Sequence, residues 1–172
     1  MAVLPVRIHP DPILRVKCPQ VESFDAQLAR LAADMIETIH SAPGIGLAAP
    51  QVGVELRLVV VDISAGAEEE ALHLLVNPEV MEETGQTTDL EGCLSIPGVT
   101  EKVTRPAKIR LRAQDLEGGP LELEAQGLLA RAICHEVDHL NGILFLDRLV
   151  GLRRQRARRQ LRRLTGQREA TA

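Results

Sequence analysis

Residues 127–142 read GLLARAICHEVDHLNG, and this segment leaves the chain little freedom. Its apolar residues recur at helical spacing. Leu128, Leu129, Ala132 and Ile133 open a helix, and Asn141-Gly142 can close it. Inside lies the pattern H-E-x-x-H, formed by His135, Glu136 and His139. Residues four apart share one helix face, so both imidazoles can reach a single metal ion. The flanks are apolar, so two partly buried histidines and a glutamate need partners from elsewhere in the fold.

Two histidines do not complete a metal site. A catalytic zinc-type ion usually takes three protein ligands and keeps one position open for water. The metzincin extension needs a third histidine six residues after the second, but position 145 is Phe. The thermolysin-like extension needs a glutamate roughly twenty residues on. From Leu140 the chain carries no Glu until Glu169. Upstream, His9, His40 and His73 stand alone, and the apolar setting of His73 suits a satisfied core histidine. Cys134 adjoins His135, yet neighbouring helix positions point about 100° apart. It reads as a small buried apolar residue. Cys93, in DLEGCLSIPG, is the best candidate. Gly92 permits close backbone approach, and a thiolate is a strong soft ligand. Spacing alone does not prove the assignment.

The rest of the chain supplies the scaffold. With 172 residues and 45% hydrophobic content it can build one globular core. Phe24 and Phe145 are its only aromatics, so Leu, Ile, Val and Ala must fill that core. The same scarcity argues against a single-strand nucleic-acid reader, which stacks bases on aromatic rings. Ser23 can cap a helix to about His40, with Leu28, Leu31, Met35 and Ile39 as its buried stripe. GIGLAAPQ (Gly44–Gln51) reads as a loop. Strands are expected over residues 56–63 and 72–78, and residues 107–115 with PLELEAQ form a hairpin. The tail should be helical from about Gly151, with Leu152, Leu161 and Leu164 as sparse apolar points. The expected fold class is α+β: mixed or antiparallel sheets around the central H-E-x-x-H helix, flanked by an N-terminal and a C-terminal helix.

Charge is unevenly spread. Residues 151–172 carry eight Arg against one Glu, whereas residues 1–150 carry 12 Lys and Arg against 23 Asp and Glu. A basic tail on an acidic body points to an anionic partner, or to a solvated helix end. Cys18, Cys93 and Cys134 are odd in number and lack C-x-x-C spacing, so they are no disulfide framework. The opening MAVLPVRIHPDPILRVK breaks the apolar run that a signal peptide needs. No stretch is apolar enough to span a membrane. The expectation is a cytoplasmic protein without membrane or DNA partners.

EGCLSIPG, HEVDHLNG and GIGLAAPQ together resemble the three signature motifs of peptide deformylases, in order and spacing. IHPDPILR resembles their N-terminal segment, and the likeness runs from about residue 5 to residue 150. The resemblance implies an α+β fold centred on the H-E-x-x-H helix. It implies removal of the formyl group from the N-terminal methionine of newly made chains, with release of formate. It implies Cys93, His135 and His139 as metal ligands, and Glu136 as the group that activates a metal-bound water and protonates the leaving amine. Gln51 and the Leu94 N–H correspond to oxyanion donors, and Gly46 to a backbone contact with substrate. Ile45 and Leu128 correspond to walls of a methionine pocket. A His₂Cys set suits Fe(II), Zn, Ni or Co, and the resemblance favours Fe(II). It further implies a monomer with residues 1–150 as the catalytic domain. Together with the tail's charge, it implies that the basic helix of residues 151–172 belongs to the same domain and docks on the ribosome near the exit tunnel. Cys134 departs from many relatives, which carry Gln there.

Other readings fit less well. A metallopeptidase of the usual H-E-x-x-H kind lacks its downstream ligand. An RNA-binding protein with a structural metal would close all four positions with protein ligands and has no need of Glu136. GIGLAAPQ is no phosphate loop: it follows a helix and lacks the Lys-Ser/Thr pair.

Overall fold

Val59 and Val61 face one way along their strand, and Leu58 and Val60 face the other, as the two-residue period of a strand requires. Both faces are covered, which is why LVVVD is apolar without interruption. A computed structural model of the chain describes residues 2–170, apart from the side chains of 69 and 165–170. The last two residues of the basic tail therefore lie outside the described residues.

Five strands form one antiparallel sheet in the order β1-β2-β3-β6-β7: β1 (Gly46–Ala48), β2 (Leu58–Asp62), β3 (Leu72–Thr84), β6 (Lys108–Gln114) and β7 (Pro120–Gln126). A second, two-stranded sheet pairs β4 (Thr87–Glu91) with β5 (Glu101–Arg105). Helix α1 (Ala26–His40) covers one face of the large sheet, where Leu28, Ala32, Met35 and Ile39 meet Leu47, Leu58, Val60 and Val76. Helix α2 (Gly127–Leu140) covers the other, where Ala130, Ile133 and Leu140 meet Ala48, Val59, Val61, Leu75 and Leu111. Helix α3 (Gly151–Ala170) places Ala157, Leu161 and Leu164 on a third apolar cluster with Leu14, Ile96, Val99, Val103 and Phe145. Arg156 anchors it through a hydrogen bond to Glu101 of β5 at 2.9 Å. No helix among the described residues is long and apolar enough to cross a membrane.

The α+β architecture, the central helix and the 107–126 hairpin agree with the sequence reading. Several local expectations are corrected. Helix α1 is capped by Asp25 rather than Ser23. The Asp25 carboxylate accepts from the N–H groups of Gln27 and Leu28, satisfying two donors that a helix start leaves unpaired. The segment read as a loop from Gly44 to Gln51 contains β1 and a 3₁₀ turn over Ala49–Val52. Strand β3 does not stop at Pro78. It continues to Thr84 through register shifts, the first at Asn77-Pro78, where Asn77 takes a positive φ of 52° and proline gives the ladder no N–H. Leu152 is exposed rather than packed. Strands β4 and β5 were not anticipated.

Asp62 closes β2 and fixes the turn that follows. Its carboxylate accepts from Ser64 N and Oγ and from Gly66 N, and lies 2.8 Å from His40 Nε2. Burial alone would raise its pKa, but the hydrogen bonds from Ser64, His40 and Gly66 prevail and hold it at about 2. A depressed carboxylate stabilises the fold above its unfolded value near 3.8 and loses that contribution as pH falls toward 2. Asp62→Asn is expected to cost about 2 kcal/mol at neutral pH. In urea denaturation the difference from wild type should shrink steadily below about pH 4.

Candidate active site

His135 and His139 sit one turn apart on the buried face of α2, with ring centroids 5.0 Å apart. Cys93 comes from the turn after β4, closed by Ile96 N–H donating to Cys93 O at 2.9 Å. This turn brings its sulfur to 3.3 Å from His139 Nε2. The ligand atoms of Cys93, His135 and His139 all lie within 4.8 Å of one another. The downstream chain contributes none of the three.

The donor chemistry suits a divalent cation. Glu91 Oε2 lies 3.0 Å from His135 Nδ1, so the carboxylate holds a proton on that nitrogen and leaves Nε2 for the cysteine side. Phe145 stacks on the His135 ring at 6.2 Å, fixing its plane. Burial would lower the His135 pKa, but hydrogen bonds to Cys93 and Glu91 raise it to about 10. An environment so favourable to a proton is also favourable to a metal cation. His139 behaves oppositely: burial and the nearby His135 and Arg105 charges push it well below the usual range, leaving a neutral imidazole. A neutral imidazole is the form that binds metal.

Glu136 adjoins this trio. Burial raises its carboxyl to about 7, within the range of a proton shuttle at neutral pH. Among the described residues, Glu136 Oε2 and His139 Nδ1 are the buried side-chain atoms without a hydrogen-bond partner. Gly46 makes room for the carboxylate. A Cβ built on it would lie 2.4 Å from Glu136 Oε1, so no side chain fits there unless Glu136 moves. The Gln51 amide is oriented by its neighbours. Ala48 N–H donates to Oε1 at 2.8 Å, which turns Nε2 toward Ser95 Oγ at 3.2 Å and Cys93 Sγ at 3.6 Å. Leu94 follows Cys93 directly, so its backbone N–H sits at the same turn.

A cavity of about 400 Å³ opens beside Glu136. Ile45, Gly46 and Leu128 line it, along with Ala132, Leu90, Arg131 and His135. The structure thus brings all nine sequence-predicted site residues to one region. It leaves the other candidates outside. His9 and His73 are only partly buried, and Cys134 packs in the core, where burial raises its thiol to about 11. Sequence reasoning missed the charged support. Glu91 also accepts from Arg105 Nε at 2.9 Å and Arg131 Nη1 at 2.7 Å, and Asp138 accepts from Arg105 Nη1 at 2.5 Å. Glu91 was discoverable, since it stands two residues before Cys93 in the quoted motif.

Comparison with known proteins points in one direction. A family model described as polypeptide deformylase matches residues 3–155. A peptide deformylase of Caldicellulosiruptor bescii is 53% identical over 150 residues, spanning 87% of each chain. One from Alkalilimnicola ehrlichii is 49% identical over 167 residues, covering 97% of this chain and 93% of the relative. The crystal structure of a peptide deformylase from Legionella pneumophila matches with a TM-score of 0.89 at 42% identity, covering 98% of both chains.

If the three atoms hold an ion, His139→Ala should abolish stoichiometric divalent-metal binding, read by elemental analysis after gel filtration. Far-UV circular dichroism should remain unchanged.

Proposed function

Because the chain belongs to the polypeptide deformylase family, we propose that it removes the formyl group from the N-terminal methionine of new polypeptides in the cytoplasm. The observation that carries this reading is the convergence of Cys93, His135 and His139 beside a partnerless Glu136 carboxyl and an open cavity. Those three residues would hold one divalent ion, Fe(II) by preference, with Zn, Ni or Co also suited to the donor set. Such an ion supplies a Lewis acid and makes water acidic enough to lose a proton near neutral pH.

The chain's own groups do the rest. Glu136, with a pKa raised to about 7, takes the proton of the attacking water and passes it to the departing amine. Charge grows on the formyl oxygen in the transition state. The Gln51 amide and the Leu94 N–H are fixed beside Cys93 before reaction, so each donor can contribute about 3 kcal/mol there. The substrate backbone can extend the large sheet. Strand β1 lies at its edge, paired with β2 on one side, and Gly46 presents bare backbone on it. Ile45 and Leu128 then flank the cavity that takes the methionine side chain.

Residues 1–150 form the catalytic part in this reading, and residues 151–172 are a docking helix of the same domain. The inner face of α3 is seated on the body through Ala157, Leu161 and Leu164. Arg154, Arg158, Arg159 and Arg163 are exposed, which suits the anionic RNA surface near the ribosomal exit tunnel. The enzyme is read as a monomer.

Anaerobically purified protein should deformylate formyl-Met peptides and leave their unformylated counterparts intact. Glu136→Ala should lower kcat/KM by about 10²-fold or more while metal content is retained. Full activity in a metal-loaded Glu136→Ala enzyme would overturn the mechanism. Replacing Arg154, Arg158, Arg159 and Arg163 by Ala should weaken ribosome binding and flatten its salt dependence. Unchanged affinity in that variant would remove the docking role.

A further inference from the structure

The stripe of α2 that meets the cavity runs Leu128, Arg131, Ala132, His135 and Glu136. Four of these already have a place, as apolar wall or reacting group. Arg131 has none. It lies three residues after Leu128 and four before His135, where helical periodicity calls for an apolar side chain, yet it is a cation only 6% exposed. Burying a guanidinium is costly unless its donors are met.

The terminal nitrogens are met. Nη1 donates to Glu91 Oε1 at 2.7 Å and to Val103 O at 2.9 Å. Nη2 donates to Thr87 O and Thr87 Oγ1, both at 3.1 Å. A guanidinium has five N–H donors. The four terminal ones are committed to β4 and β5, and among the described residues the Nε–H has no hydrogen-bond partner, which leaves it and the stem to meet an occupant of the cavity. The rest of the lining is apolar (Ile45, Leu90, Leu128, Ala132) or belongs to the reacting centre and its support (Glu91, His135, Glu136).

We propose that Arg131 is a specificity-determining residue for the side chain of the formylated residue. Its Nε–H edge favours an unbranched apolar chain that carries a soft acceptor along its length, as the methionine thioether does, over a hydrocarbon of the same shape. The inference rests on the deformylase reading and names what that site selects. Apolar walls alone discriminate poorly between isosteres, whereas a site that donates a hydrogen bond disfavours the analogue lacking the acceptor. A thioether accepts weakly, so the preference is modest, about threefold to tenfold.

The test compares kcat/KM for formyl-Met and formyl-norleucine peptides of otherwise identical sequence, using metal-loaded wild type, Arg131→Leu and Arg131→Lys. Arg131 also holds Glu91, so either substitution can slow both substrates together. The ratio between substrates is insensitive to that loss, and a purely structural role would not move it. Wild type should prefer methionine by about fivefold, and the ratio should fall to about one in Arg131→Leu. Arg131→Lys keeps the charge but has no nitrogen at the ε position of the stem. Its ratio should also fall, and it carries the test if the leucine variant does not fold. A wild-type ratio near one, or a ratio unchanged in either folded variant, overturns the proposal. Failure of wild type to act on either formyl peptide overturns the deformylase reading, and this inference with it.

Discussion

One buried carboxylate organises the centre of this molecule. Glu91 accepts from Arg105 through both of its oxygens, from Arg131 through Oε1, and meets His135 through Oε2. Those contacts join β4, β5 and α2. Burial would raise the Glu91 pKa, but hydrogen bonds from His135 and Arg105 hold it at about 2, so it stays ionised throughout the neutral range. A buried charge of this kind is tolerated because all of its neighbours are present. Removing one partner of such a cluster typically costs about 3–5 kcal/mol, since the remaining charges are stranded. Asp138, one helical turn after His135, extends the cluster by accepting from Arg105 and Arg148. The face of α2 that carries His135 and His139 is thus held by ion pairs on one side and by apolar packing on the other.

What the sequence reveals of the fold follows from periodicity. GLLARAICHEVDHL and AKIRLRAQD repeat at helical and strand spacing, so their elements are legible from the residues alone. Strands β4 and β5 are not. In EKVTR the inward positions are Glu101, Val103 and Arg105, and the outward ones are Lys102 and Thr104. Alternation of apolar and polar residues cannot mark a strand whose buried side is charged. The partners that make such burial tolerable, Arg156 for Glu101 and Glu91 with Asp138 for Arg105, are distant in sequence. Strand β1 escapes for a different reason: three residues are too few to display a period.

The site divides along the same line. His135, Glu136 and His139 carry recognisable chemistry at recognisable spacing, and Cys93 stands out between glycine and serine in its motif, whereas Gln51 is reached only through the family resemblance. Residues that support them carry only charge, which in a sequence usually signals solvent. Arg131 shows the difference. A single cation inside an apolar helical stripe is a local inconsistency, and such inconsistencies are where function tends to override packing.

The missing side chain at position 46 also bears on which substitutions this site can accept. Gly46 and Glu136 occupy one volume between them, and the carboxylate takes all of it. A methyl group at 46 fits only if the acid at 136 retracts, as an aspartate would, and the shorter acid then no longer reaches the same point. The constraint runs one way: a side chain at 46 requires Glu136 to move or shorten, whereas a shorter residue at 136 leaves the glycine at 46 undisturbed.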